Sequence, residues 1–331
     1  MSNQIDTNTS EAINLDMKDK KILYELDMNA RQPMSQIAKK VRLSKETVNY
    51  RIKRLEKKGI IEGYFAVIDA MNLGYAFYRI MLRFQNVDSK KEQEIIDYIK
   101  KLPNVAWLAS LEGNWDLVLV IWSKDISEFK ETYDKLVYKY SSYILHKYET
   151  TATKIYHFKK NFLYGTKDSD EIIVGEKSKK IKIDYIDYII LNLLSKDARM
   201  PIIDISKKVK LTPNAVQQRI KNLIKKKVIL GFRAKINLSK FDYQHYKVFL
   251  YLQNMTEKTK GELIHYLKSN RNVAYITEAI GDADLEFEIF MKNSTEIHNL
   301  LKEMRNQFSI IKNYEVILTY YEHQINYMPS L

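Results

Sequence analysis

The sequence predicts an α+β fold in which a winged helix-turn-helix domain and a ferredoxin-like βαββαβ domain occur twice in tandem. Three observations predict it. The 331-residue chain repeats itself at an offset of 168 residues, with 22 identities between residues 15–63 and 183–231. In the first part of each copy, apolar residues recur at helical spacing. In the second part they alternate as they do in strands.

The repeat extends along the chain and sets the domain boundaries that we predict. Residues 104–107 align with 272–275, and residues 113–116 align with 281–284. The stretch between the copies is polar and charged, which is typical of a linker. The predicted divisions are a polar tail (1–14), winged helix-turn-helix 1 (15–68), ferredoxin-like domain 1 (69–164), a linker (165–181), winged helix-turn-helix 2 (182–236) and ferredoxin-like domain 2 (237–331).

Three short helices begin each copy. In copy one, apolar residues at helical spacing mark a first helix around Ile22 and a second around Ile37. Ser44 is a good N-cap for a third helix, which Gly59 ends. In copy two Thr212 takes the capping position. A tight turn before the third helix, followed by a strand at residues 60–65, predicts a winged helix-turn-helix.

The third helix of each copy has the pattern of a recognition helix, because its polar residues face away from its apolar stripe. Lys and Arg can contact phosphates or guanine edges, and Asn can contact adenine. The candidate DNA-binding residues are Lys39, Lys40, Arg42, Ser44, Lys45, Asn49, Tyr50, Lys53 and Arg54 in copy one, and Lys207, Lys208, Lys210, Thr212, Asn214, Gln217, Gln218, Lys221 and Asn222 in copy two.

Two pairs of charged residues in these domains have a structural interpretation instead. Arg51 and Arg219 lie at the edge of the apolar stripe, within reach of Asp19 and Asp187 on the first helix. We interpret these as ion pairs rather than DNA contacts. The same caution applies to the arginines in the turn after the first helix, Arg31 and Arg199.

Strand alternation replaces helical spacing in the second part of each copy. The predicted order is strand, helix, strand, strand, helix, strand, which is the ferredoxin-like plan. In copy one these elements lie at residues 75–84, 92–102, 105–111, 115–122, 126–140 and 144–157, and copy two repeats them between residues 243 and 321.

The positive charge is concentrated in two short segments. The net charge is +13, and residues 15–64 and 183–232 each carry +6. Such concentration is typical of a nucleic-acid footprint, whereas a solvated basic surface is the alternative interpretation. A three-helix protein–protein module is the alternative to a DNA-binding domain.

Composition excludes several classes of protein. The chain has no cysteine, so disulfides, Cys-ligated metals and Cys nucleophiles are excluded. No apolar run reaches 18 residues, and residues 1–14 lack the apolar core of a signal peptide. We therefore expect a cytoplasmic protein without membrane segments. No metal-like histidine spacing, phosphate loop or nucleophile motif occurs, so we expect no cofactor and no enzyme.

The segments IAKKVRLSKETVNYRIKRLEKKGIIEGY and GNWDLVLV give the chain a resemblance to the Lrp/AsnC, or feast/famine, regulators of bacteria and archaea. That family joins a winged helix-turn-helix to a ferredoxin-like RAM domain, which dimerises and can bind amino acids. The resemblance implies a sequence-specific regulator of transcription that binds double-stranded DNA. The usual family member is a single unit, and we expect this chain to be a tandem-duplicated, archaeal member. One chain would then correspond to one family dimer, with an internal RAM–RAM pair, and tandem chains would associate further.

The resemblance also implies candidate effector residues. In the family, the Gly-x-x-Asp turn lies near the amino-acid pocket, and here it corresponds to Gly113 with Asp116 and to Gly281 with Asp284. Glycine lets backbone N–H groups approach a carboxylate, and an acidic side chain could hold an ammonium group. The alternative is that each glycine only makes a hairpin turn.

Charges on the strands suggest how the copies pair. Asp284, Glu286 and Glu288 share one face of a strand in copy two, whereas Arg79 and Arg83 share a face in copy one. Opposite charges favour pairing of copy one with copy two. Pairing of Lys247 with Glu286 inside copy two is the alternative.

Two other functions fit the same fold. A nucleoid-organising protein with little sequence preference would have every feature above. Siroheme decarboxylases share the fold, but depend on His and Arg around the strand equivalent to residues 105–111, where this sequence has neither. For the DNA-binding function, we expect both recognition helices to enter major grooves. The residues expected to contact phosphates are Lys39, Lys40, Arg42, Lys207, Lys208 and Lys210. Because the two helices differ, we expect an asymmetric pair of half-sites.

Overall fold

The computed structural model describes residues 15–166, 170–176 and 180–329. The predicted tail, residues 1–14, lies outside them. Each copy begins with three helices and a long wing strand. The bounds are α1 Met17–Met28, α2 Met34–Val41, α3 Lys45–Lys57 and β1 Ile61–Ile68 in copy one, and α6 Tyr185–Lys196, α7 Ile202–Val209, α8 Pro213–Lys225 and β7 Ile229–Ile236 in copy two.

The two wing strands pair with each other. β1 and β7 form an antiparallel ribbon in which Phe65 lies opposite Arg233. Each helical core is completed by the wing strand of the other copy: Ile236 packs among α1–α3, and Ile68 packs among α6–α8. The ribbon therefore joins the two helix-turn-helix domains and fixes their relative position.

The ferredoxin-like copies follow the predicted order of elements. Their bounds are β2 Ala76–Phe84, α4 Ser89–Ile99, β3 Val105–Glu112, β4 Leu117–Ser123, α5 Ile126–Lys139 and β5 Ile144–Phe158 in copy one, and β8 Gln244–Leu252, α9 Glu257–Ser269, β9 Val273–Ile280, β10 Leu285–Met291, α10 Ser294–Gln307 and β11 Ile311–Ile325 in copy two. The predicted elements are therefore present, with ends that differ by up to four residues.

Eight of these strands close into one antiparallel barrel. The strand order is β2-β4-β3-β11-β8-β10-β9-β5, and β5 pairs back with β2. The barrel closes because β5 and β11 are long. β5 pairs first with β2 of its own copy and then with β9 of the other, and β11 pairs with β8 and then with β3. Neither copy forms this barrel without the other.

Helices cover the outside of the barrel. α4 and α5 pack on the strands of copy one, and α9 and α10 pack on those of copy two. A separate core fills part of the barrel interior, with Met81 and Val118 from copy one against Phe249 and Ile317 from copy two. In the described part of the chain, no helix is long and apolar enough to cross a membrane.

The predicted linker, residues 165–181, contains a strand. β6, Glu171–Val174, pairs with the end of β5, so that Val174 lies opposite Ile155. Its residues Ile172 and Val174 are buried against Phe65 of the ribbon. The segment between the copies therefore contains an edge strand, which its three β-branched residues are enough to form in a polar stretch. All the domain boundaries stay a prediction. The cores of both helix-turn-helix domains contain residues of both copies.

Opposite charges do meet across the barrel, as predicted. Arg79 of copy one pairs with Glu286 of copy two, with 2.6 Å between Nη1 and Oε2. The alternative pair is also present, because Lys247 Nζ lies 3.0 Å from Glu286 Oε2. The prediction for Arg83 was wrong: it pairs with Asp116 of its own copy. Arg83 lies at the end of β2, beside the turn that carries Asp116, and Asp116 is therefore its nearest carboxylate.

Candidate nucleic-acid interface and effector turns

The turn between the second and third helices has the same geometry in both copies. Arg42 and Lys210 adopt left-handed backbone conformations, with φ of 58° and 53°, and each ends its helix. Ser44 Oγ then accepts the N–H of Thr47 at 3.1 Å, and Thr212 Oγ1 accepts that of Ala215 at 3.2 Å. These caps begin α3 and α8 at equivalent positions, so both helices are presented alike.

Most of the predicted DNA-binding side chains are exposed. In copy one all are exposed except Asn49 and Arg54, which are half-buried. In copy two all nine are exposed, and Gln218 Nε2 donates to Asn222 Oδ1 at 3.3 Å. The two helices therefore display different surfaces. Copy one presents Lys45, Tyr50 and Lys53, whereas copy two presents mainly amide side chains.

Arg54 differs from its predicted outward orientation. Its Nη2 lies 2.5 Å from Oδ2 of Asp19, and Arg51 Nη1 lies 2.9 Å from Oδ1 of the same carboxylate. Asp19 is 1% exposed. Arg51 and Arg54 are one helical turn apart, so both reach α1. Asn222 replaces Arg54 in copy two, and there Arg219 pairs with Asp187 at 2.8 Å. The structure thus contains both predicted ion pairs.

Three other basic residues are held by the protein. Lys40 Nζ, predicted to contact phosphate, lies 2.6 Å from Glu25 Oε2. Arg31 donates to the carbonyls of Ala198 and Met200 in the other copy. Arg199 lies over the ring of Tyr64, 5.0 Å from its centroid. Arg31 and Arg199 therefore join the two helix-turn-helix domains, as their structural interpretation predicted.

Both Gly-x-x-Asp turns lie where the two copies meet. A Cβ added to Gly113, whose φ is 132°, would lie 3.5 Å from the carbonyl oxygen of Val316 in β11. A Cβ added to Gly281 would lie 2.6 Å from Cγ2 of Thr150 in β5. Asp116 and Asp284 are occupied: Asp116 accepts the N–H of Phe84 at 2.6 Å, and Asp284 accepts that of Leu252 at 2.7 Å. The two aspartates fix the turns to neighbouring strands.

The surroundings of the two turns differ. At the first turn Arg83 Nη1 donates to Gly113 O at 3.1 Å, and Asn114 Nδ2 donates to Glu315 Oε1 at 2.9 Å. At the second turn Tyr148 Oη accepts the backbone N–H groups of Asp282 and Ala283, at 2.8 and 3.2 Å. The first turn therefore has a positive side chain, Arg83, and a negative one, Glu315, nearby. At the second turn the Tyr148 hydroxyl already accepts two backbone N–H groups.

An ionic cluster at the base of the ribbon is absent from the sequence predictions. Asp27 of α1 lies 2.7 Å from Arg233 of β7 and 2.8 Å from Lys160, which follows β5. Burial raises the pKa of Asp27, but the two cations outweigh burial and hold it at about 2. Ser195 and Phe65 occupy the equivalent positions of Asp27 and Arg233 in the repeat. Charged residues in one copy that align with uncharged residues in the other are the signal that could have located the cluster.

Comparison with known proteins agrees with this geometry. A family described as winged helix-turn-helix DNA-binding matches residues 15–62 and 183–229. The transcriptional regulator LrpA of Pyrococcus horikoshii is 38% identical over 113 residues, which are 34% of this chain and 77% of that protein. The transcriptional regulator Ptr1 of Methanocaldococcus jannaschii is 33% identical over 124 residues, 38% of this chain and 82% of that protein.

The two matched segments define a winged helix-turn-helix DNA-binding protein. The chain matches more than three-quarters of each of these regulators at over 30% identity, and it therefore belongs to the Lrp/AsnC family. The relatives are much shorter than this chain, as expected if each contains a single unit. The siroheme decarboxylase NirDL has a similar fold, with a TM-score of 0.63 and 14% identity over 93% of this chain and 92% of that one. That likeness concerns the fold alone.

Proposed function

We propose that this chain is a transcriptional regulator that binds double-stranded DNA through α3 and α8. The observation that carries the proposal is the pair of exposed third helices joined by the β1–β7 ribbon. A ribbon shared by both domains holds the two helices at a fixed separation, which is how dimeric helix-turn-helix proteins select the spacing of half-sites.

The two helices read different half-sites. Lys53 and Tyr50 in α3 correspond to Lys221 and Gln218 in α8, and Lys45 corresponds to Pro213. A homodimer with identical helices binds a palindrome, because its operator mirrors its symmetry. This chain carries both helices in one polypeptide, so its preferred operator is asymmetric, and α8 contributes less through charge.

Selection from a random double-stranded DNA library tests this function. The expected result is one enriched motif with two unlike half-sites, bound at least about 10³-fold more tightly than random DNA at fixed salt. Similar affinity for every sequence would instead assign the chain to the nucleoid-organising class. A palindromic motif would contradict the proposal that α3 and α8 recognise different half-sites.

An amino acid is the effector, and it binds at the turn around Gly113. Arg83 can pair with the effector carboxylate and Glu315 with its ammonium group, and both side chains contact this turn. At the turn around Gly281, Tyr251 replaces Arg83. There the hydroxyl of Tyr148 already accepts the two N–H groups that a carboxylate would need. One amino acid per chain is therefore expected.

Calorimetric titration with each amino acid tests the stoichiometry. The natural chain should bind one molecule. Tyr148→Phe combined with Tyr251→Arg should add a second, because it releases the N–H groups of Asp282 and Ala283 and supplies the missing arginine. Tyr314→Phe is the matched control, because Tyr314 is the equivalent residue in the repeat. One molecule per chain in both variants would contradict the role given to Tyr148.

The chain acts without catalysing a reaction on a tetrapyrrole. The strands β3 and β9 contain neither His nor Arg, the residue types that the resemblance implies for a decarboxylase. Mixing the purified protein with siroheme tests this. Tight binding of siroheme, followed by loss of its carboxylate groups, would show that the chain is an enzyme rather than a regulator.

A further inference from the structure

A cavity of about 740 Å³ lies between the barrel and the ribbon. Phe77 and Trp122 line it, and they pair at the end of the barrel where β2 begins. The Gly113 turn lies at the opposite end, beside Phe84. Phe65 of β1 and Lys235 of β7 complete the wall. The cavity is therefore separate from both Gly-x-x-Asp turns, and its volume suits a small organic ligand.

Three residues that line the cavity each have a buried polar atom without a hydrogen-bond partner in the described part of the chain: Trp122 Nε1, His157 Nδ1 and Thr319 Oγ1. A buried polar atom without a partner destabilises a protein, and proteins seldom retain one without a reason. Trp122 itself is 4% exposed. Three residues with such an atom, on β4, β5 and β11, therefore surround one cavity.

The wall also carries an excess of positive charge on one side. Lys160 lines the cavity beside His157, and it shares the single carboxylate of Asp27 with Arg233. Two cations therefore face one anion. Nη1 of Arg233 is a further buried donor without a partner among the described residues. Burial and the neighbouring Arg233 lower the pKa of Lys160 to about 8, as expected for an under-compensated cation.

The other charged groups around the cavity do not cancel this excess. Arg79 and Lys247 are balanced by Glu286 and Glu288 in one buried network. A third set, formed by Lys235, Glu62 and Glu322, has one extra carboxylate. Its side chains are about one-third exposed, so water and salt screen it. An anion is therefore favoured on the buried side, near Lys160 and His157.

We propose that this cavity binds an aromatic monocarboxylate. The carboxylate lies against Lys160 and His157, and the ring packs against aromatic walls that include Phe77 and Tyr275. Trp122 and Thr319 hydrogen-bond the polar part of the ligand. Since the ribbon that joins the two helix-turn-helix domains forms one wall, occupancy changes their separation. Only this regulatory consequence rests on the proposed function.

Three probes with one ring system and different charges test the ligand class. Indole-3-acetate, indole-3-acetamide and tryptamine are titrated into the full chain without DNA. Indole-3-acetate is expected to bind, the amide at least about tenfold more weakly because a charged hydrogen bond is lost, and tryptamine more weakly still. Equal binding of all three, or no binding of the acetate up to about 10 mM, would overturn the proposal.

Conservative variants then locate the site. Trp122→Phe and Thr319→Val keep the shape of the wall and remove one polar atom each, so each should weaken indole-3-acetate roughly two- to tenfold. Lys160→Met should weaken it more. Trp115→Phe and Thr150→Val are matched controls. Trp115 Nε1 and Thr150 Oγ1 are also buried without partners among the described residues, but neither residue lines the cavity. Equal losses in the controls would overturn the assignment of the site.

The two proposals fail separately. Ligand binding is measured without DNA, so a chain that selects no operator can still show the charge preference. Conversely, an operator can be found while all three probes bind alike. If indole-3-acetate binds as expected, it should also shift operator affinity in the natural chain and shift it less in Trp122→Phe. An unchanged affinity would overturn the link through the ribbon.

Discussion

Nη1 of Arg79 lies 2.7 and 2.6 Å from the two carboxylate oxygens of Glu286, and this buried contact joins copy one to copy two across the barrel. The two side chains are 7% and 1% exposed. Lys247 contacts the same carboxylate from within copy two, at 3.0 Å. Glu286 is thus the shared anion of two cations, and the three side chains are not equally replaceable.

Removing the shared anion should cost more than removing one cation. Glu286→Gln leaves Arg79 without its buried partner, so we expect the free energy of unfolding to fall by about 3–5 kcal/mol. Arg79→Met should cost less, since Glu286 keeps Lys247. Urea unfolding of both variants measures the difference. Lys130→Ala is the control, because its pair with Asp134 is exposed and should contribute less than about 1 kcal/mol. Equal losses in the two barrel variants would contradict this network.

The exposed lysines of α3 and α8 should set the salt dependence of DNA binding. Lys53→Ala and Lys221→Ala should each reduce the slope of log affinity against log salt by about one, because each removes one phosphate contact. Lys135→Ala, on an outer helix of the barrel, is the matched exposed control. Measurements across several salt concentrations distinguish slope from affinity. An unchanged slope for both variants would remove these helices from the interface.

The sequence predicted the elements well because local patterns determine them. Ser44 and Thr212 predicted the starts of two helices, and Asp19 with Arg51 predicted an ion pair that spacing alone makes accessible. Arg54 was misjudged because two arginines one turn apart can share one buried carboxylate. That depends on how close α1 lies to α3, which the periodicity of either helix leaves open.

The contacts between copies could not be predicted in the same way. Alternation shows that Ile68 and Ile236 are buried, but gives no indication that each completes the core of the other copy. The cavity and the cluster of Asp27 with Lys160 and Arg233 arise only from that exchange. The signal that did reach across the copies was charge. Copy one has Val118 where copy two has Glu286, so Arg79 lacks within its own copy the partner that Lys247 has in copy two.

Raising the pH should stabilise the chain through Lys160. Burial and Arg233 lower its pKa from 10.5 to about 8 in the folded protein. Between these values the unfolded chain binds more protons than the folded one, so the free energy of unfolding rises with pH, in total by on the order of 3 kcal/mol. Below pH 8 the lysine is charged in both states, and this gain is absent.

Lys160→Met is the variant that isolates the effect. Asp27 keeps Arg233 as its partner, at 2.7 Å, so the buried pair stays balanced. Urea unfolding at several pH values from 7 to 10.5 should show a smaller rise for the variant than for the natural chain, since all other titrating groups are shared. Parallel curves would show that Lys160 is not held with a lowered pKa.

The two copies should fold only together. Expressed separately, residues 1–178 and 179–331 each lack strands that complete their cores: the helices of copy one need Ile236, and those of copy two need Ile68. Pairing of like copies would also place Arg79 against Val118 of a second copy one, the residue that aligns with Glu286. A buried arginine without an anion destabilises such a homodimer.

Co-expression of the two fragments, each with a different affinity tag, measures this preference. A 1:1 complex that melts cooperatively should form, and either fragment alone should be unfolded or aggregated at the same concentration. Arg79→Glu with Glu286→Arg should retain the heterodimer, because the pair is restored in reverse, whereas either substitution alone should weaken it. A stable homodimer of residues 1–178 would show that charge does not select the partner, and that the tandem arrangement only raises the local concentration of two self-sufficient copies.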